Sequence, residues 1–70
     1  MRQGVLVPDF LTGRMVVRFS VHEYSRKLHC GQPLEVLVDG VWQETRIGYE
    51  GGWILEGVEC ATIVGLRVRI

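Results

Sequence analysis

The chain has 70 residues, a 47% apolar share, and eight acidic against eight basic side chains. That length supports one domain with a small core, and the zero net charge argues against a dedicated polyanion binder. The apolar runs are far too short to cross a bilayer, and the first ten residues lack the apolar stretch and cleavage site of a signal peptide, so a cytoplasmic protein without a membrane partner is expected.

Residues 4–8, GVLVP, read as a short strand stopped by Pro8, whose missing N–H suits a strand end or an edge. The stretch DFLTG turns the chain, with Gly13 as its natural left-handed residue. Residues 14–19, RMVVRF, alternate: Met15, Val17 and Phe19 on one face, Arg14, Val16 and Arg18 on the other. The two segments form a first hairpin.

Residues 20–31 are a polar interval with too few apolar side chains for a firm helix, though a helical turn fits there. After it comes the organising element, residues 33–57: three antiparallel strands in sequence order, joined by Asp39-Gly40 and Gly51-Gly52. Asp-Gly between runs rich in Val, Leu and Trp is a strong hairpin signal, because both turn residues must accept positive φ. A two-residue turn sets Val38 opposite Val41, Leu37 opposite Trp42, and Glu35 opposite Glu44. The last pair is unfavourable, and a bulged turn would shift it by one. Leu34, Val36, Val38, Thr45 and Ile47 then share the inward face. Residues 58–65 are ambiguous, with a 3₁₀ turn expected before Gly65. LRVRI ends the chain with Leu66, Val68 and Ile70 inward. Its expected neighbour is the first strand, which would close a barrel and remove both edges.

The expectation is therefore one all-β domain over residues 1–70, a small SH3-like barrel of five to six antiparallel strands built on the central three-stranded meander. The run LEVLVDGVW after Gly31, then TRI, GGWILEG and GLRVRI, resembles SH3-like barrels, including their Tudor-type branch. Together with HCG ahead of the meander, these stretches also resemble a small bacterial family described only as a domain of unknown function. That likeness implies a fold and a bacterial accessory protein. It implies no activity.

The charges are unevenly spread: +3 over residues 1–30, −5 over 31–60 and +2 over 61–70. Cross-strand ion pairs are the plainest use of that pattern. Against it stand two binding readings. Tyr24, Trp42, Tyr49 and Trp53 are many large rings for a short chain, and with Glu44 and its acidic neighbours they form a candidate groove for an extended or basic peptide. The competing use of both tryptophans is to fill a core. Arg14, Arg18, Arg67 and Arg69 alternate outward on two strands and form a candidate nucleic-acid stripe.

His22, His29, Cys30 and Cys60 lack any familiar zinc spacing, and Cys30 beside His29 lacks a third orienting group. No metal, cofactor or catalytic residue is expected, and the two cysteines read as small buried thiols. The expected partner is another protein, with nucleic acid as the rival. The chain is read as a monomer, or as a weak homodimer in which the acidic meander of one copy meets the basic ends of another.

Overall fold

The computed structural model describes residues 1–70 and contains no helix. Its strands are β1 (Gln3–Asp9), β2 (Arg14–Arg18), β3 (Pro33–Val38), β4 (Val41–Tyr49), β5 (Trp53–Leu55) and β6 (Arg67–Arg69). They pair antiparallel in one sheet of order β2-β1-β6-β3-β4-β5, curled into a half-barrel. The concave face carries one continuous core built from Leu6, Met15, Val17, Leu34, Val36, Ile47, Leu55 and Val68, with Leu28 and Ile63 added from irregular segments. Residues 20–32 and 56–66 thus do more than connect strands, since each donates a buried side chain that fills the open side of the curl.

The meander forms in the two-residue register. Asp39 and Gly40 both hold positive φ, 50° and 80°, and Val38 faces Val41, Leu37 faces Trp42, and Glu35 faces Glu44. The like-charged pair survives because β6 lies on the other side of β3. Arg69 stands directly opposite Glu35 and donates its Nε–H to that carboxylate. One strand insertion answers an unfavourable contact created by another.

The last strand does pair with β1, but it also pairs with β3, so it is a central strand and does not close a barrel. The edges of the sheet are β2 and β5. Pro8 lies inside β1, opposite Met15. Arg2 N–H and Leu6 N–H donate to Ile70 and Leu66 carbonyls, so even-numbered residues of β1 turn their backbone toward β6. The missing N–H of Pro8 therefore falls on the β6 side, past the point where that ladder has ended.

One open alternative is settled and two further expectations are corrected. No helical turn forms in residues 20–31; the chain runs alongside β2 instead. No 3₁₀ segment precedes Gly65; a β-turn with the Leu66 N–H on the Ile63 carbonyl (3.2 Å) does that work, with Gly65 at φ 91°. Cys30 and Cys60 are both exposed free thiols. Cys30 lies in a turn and Cys60 in an irregular stretch, both outside the ladders, where no strand alternation turns a side chain inward.

Candidate functional site

Four large rings were candidates for a single groove, and the strand alternation separates them. Trp42 points to the convex face, half-buried, with the Arg69 guanidinium 4.2 Å above its ring centre. Arg69 is thereby held twice, by the Glu35 carboxylate and by the indole face. Glu44 is exposed on the same convex face, in a shallow depression with Glu35, Arg46 and Glu56. Tyr24 lies beyond β2, bridged to Arg18, and lines a different cleft.

Only Tyr49 and Trp53 meet. They face each other across β4 and β5 with ring centroids 5.1 Å apart in an edge-on arrangement. Trp53 is half-buried against the core, and its Nε1–H donates to the Gly13 carbonyl at 2.8 Å. That bond ties β5 to the β1–β2 turn across the open side of the half-barrel. Tyr49 is 58% exposed beside it. Trp53 is therefore both a core residue and a seam closure, and Tyr49 is the free ring at that end.

The two sheet edges differ in their backbone accounting. Along β2, most outward groups are taken, Met15 N–H being the exception: Phe19 N–H by the Glu23 carbonyl (2.7 Å), Val17 C=O by Ser25 N–H (2.7 Å), and Met15 C=O by Leu28 N–H (2.9 Å). Val17 N–H donates to Ser25 Oγ at 2.8 Å. Along β5, Glu56 N–H donates to Arg46 C=O and Glu50 N–H to Gly52 C=O. Hydrogen-bonded pairs alternate in an antiparallel ladder, so the next such pair is Gly48–Ile54, and Trp53 and Leu55 aim their backbone groups away from β4. Leu55 C=O receives Val58 N–H at 3.1 Å. Trp53 N–H, Trp53 C=O and Leu55 N–H have no protein partner. A small cleft of about 190 Å³ opens against this edge, lined by Glu50, Gly52, Trp53, Cys60 and Thr62 among others.

The arginine stripe is divided as well. Arg14 donates to the Leu28 carbonyl (2.9 Å) and to His29 Nδ1 (2.7 Å), which pins the loop onto β2. Arg69 is committed to Glu35 and Trp42. Arg18 and Arg67 share Val5 as a cross-strand neighbour on β1, so they lie in one row of the convex face, and neither has a carboxylate partner. Of the soft ligands, His29 is engaged with Arg14, and no cluster of three or more metal-ligating side chains forms.

Phe10 and Leu11 form a further exposed feature, on the β1–β2 turn. They are 92% and 96% exposed, although the turn that carries them is firmly built. Asp9 C=O accepts from Thr12 and Gly13 N–H, and its carboxylate accepts from Leu11 N–H (3.1 Å) and Thr12 Oγ1 (3.0 Å). Leu11 N–H, then the Thr12 hydroxyl and Lys27, hold the Asp9 carboxyl below the ordinary carboxylate range. The signal available in the sequence was D-F-L-T-G itself, an Asx-type turn presenting two large apolar residues.

A small, barrel-like, all-β domain with no helix is the class these features define. Residues 4–70 match the family model described as domain of unknown function DUF5348, and the chain belongs to that family. A crystal structure of a Ruminococcus gnavus protein, a Northeast Structural Genomics Consortium target, is similar over the whole fold. It is 39% identical with a TM-score of 0.91, covering 99% of this chain and 100% of that one. No curated protein matches. No helix is long and apolar enough to cross a membrane.

Proposed function

We propose that the protein is a non-catalytic interaction module of the bacterial cytoplasm that takes up an extended, basic segment of a partner protein along the free edge of β5. The observation that carries this reading is the contrast in backbone pairing: β2 is covered by its own chain, whereas Trp53 and Leu55 present unpaired backbone groups beside an exposed tyrosine. Strand addition uses such an edge, with backbone bonds giving affinity and flanking side chains giving selectivity. Glu50 lines the adjoining cleft, and Glu50 and Glu59 are exposed carboxylates with no ion pair, which favours a cationic partner. Free thiols at Cys30 and Cys60 suit a reducing compartment.

The test is an amide NMR titration with a Lys-rich extended peptide and with the same peptide N-methylated at alternate residues. The reading expects shifts centred on residues 49–55 with the first peptide and none with the N-methylated one that blocks ladder bonds. Equal binding of both would remove the strand-addition reading.

A second reading, nucleic-acid binding, is favoured by the Arg18–Arg67 row alone. It expects salt-sensitive shifts at those two positions with a short oligonucleotide, and loss of binding in the Arg18→Ala, Arg67→Ala double variant.

A further inference from the structure

We infer that the convex cleft between the β1–β2 turn and residues 24–27 is a second, separate docking surface, fitted to a partner segment that presents a carboxylate beside large apolar side chains. The cleft, about 710 Å³, has Val7, Pro8 and Val16 among its lining residues, with Tyr24, Arg18 and Lys27 beside them and Phe10 and Leu11 on the turn. Three observations point to an occupant of this chemistry.

First, Phe10 and Leu11 stand almost wholly in water on a turn tied by four hydrogen bonds to Asp9, so their exposure is part of an ordered structure. Burying one such ring on a partner removes roughly 150–250 Å² of surface from water, and the backbone that carries it, already tied in the turn, loses little further freedom on binding. Second, the sheet is apolar on both faces here. Val16 is buried although it points away from the core, and its cross-strand partner Val7 is half-buried beside it. An outward-facing valine pair flanked by exposed aromatic and aliphatic side chains is the kind of patch that marks an interaction surface.

Third, the charge at the rim is unbalanced. Asp9 is occupied by the turn's own donors, and Lys27 Nζ lies 3.6 Å from it. The Arg18 guanidinium donates only to the Ser20 carbonyl, at 3.2 Å, and stacks 6.0 Å from the Tyr24 ring centre. Its remaining donors have no acceptor in the protein. A carboxylate from a partner would find a fork-shaped donor there, next to apolar ground, and Arg67, in the same cross-strand row beyond Val5, adds to the same field. A second copy of this chain fits less well, because two such rims would bring Arg18 and Lys27 against their own kind.

The test uses the full chain with two synthetic peptides, one alternating Glu with Phe and Leu, the other with Lys replacing every Glu, followed by amide NMR. The acidic peptide should shift Val7, Leu11, Val16, Arg18 and Tyr24, leave residues 49–55 in place, and bind about tenfold more weakly to Arg18→Gln. Phe10→Ser with Leu11→Ser should abolish binding while the remaining spectrum stays folded, since neither side chain contributes to the core. Equal binding of the Lys peptide at these residues would overturn the proposal. So would an oligonucleotide shifting the set when the acidic peptide does not, or shifts that arise from protein concentration alone. Because the two surfaces share none of these residues, the β5 reading stands or falls by its own titration.

Discussion

The two edges of the sheet are built from similar strands and finished differently. β2 is covered by residues 19–28 of its own chain, which return along it and satisfy most of its outward backbone groups through Glu23, Ser25 and Leu28. β5 is three residues long, carries Trp53 as its stopper against Gly13, and leaves both outward backbone groups of Trp53 and the Leu55 N–H without partners. A curled sheet that does not close must manage both edges. Here one is managed by covalent neighbours and the other mainly by being short. The difference separates a structural edge from one available for recognition.

The largest disruption of the covered side should come from Gly4. A Cβ built there would lie 2.5 Å from the Arg18 carbonyl oxygen and 2.6 Å from Val17 Cγ1. The Arg18 carbonyl is backbone and cannot retreat without prising β2 off β1, and the Val17 methyl is hemmed in by the core. Gly4→Ala is therefore expected to cost about 3 kcal/mol in chemical denaturation, at the upper end for overpacking, because backbone must move.

Ser25→Ala acts on the same edge more gently. It removes the acceptor of the Val17 N–H, a half-buried bond, and should cost about 1–2 kcal/mol. Amide exchange at Val17 should quicken in that variant while residues 53–55 are unaffected, which would show that the two edges open independently.

The smallest expected effect is that of pH on the Asp9 turn. The folded-state pKa of Asp9 lies below its ordinary value of 3.8, so the carboxylate contributes stability that is fully present above that value and fades as pH falls through the lower folded one. Titration of the Asp9 side-chain carbon should give a midpoint below 3.8. Asp9→Asn should remove most of the dependence, and the exposed turn should loosen without unfolding the core.

What the sequence conveyed follows from which interactions are local. Asp39-Gly40 set its own turn conformation, and alternation along residues 33–47 and 14–19 named the inward faces, so the meander and the first hairpin could be read directly, while the Glu35–Glu44 pair left a bulged register open, a choice that Arg69 answers from β6. The position of β6 between β1 and β3 could not be read so, because pairing across the whole chain length leaves no mark in neighbouring residues. The candidate site suffered from the same gap. Tyr49 and Trp53 are cross-strand neighbours within one hairpin, and that pair was accessible from the register. Trp42 lies on the opposite face from Trp53, a parity the ring count ignored. Arg69 was assigned to a solvent-facing stripe, but the partners that claim it, Glu35 and Trp42, come from strands more than twenty residues earlier. Phe10 and Leu11 leave no such mark, because a turn motif explains their backbone and says nothing of their side chains.

Amide hydrogen exchange at the two edges, with and without the Lys-rich peptide, tests the central claim most directly. In the free protein Val17 and Phe19 N–H should exchange slowly and Trp53 N–H fast, and saturating peptide should slow Trp53 and Leu55 while leaving β2 as it was. A Trp53 amide already protected in the free protein, or one unchanged at saturation, would contradict the account.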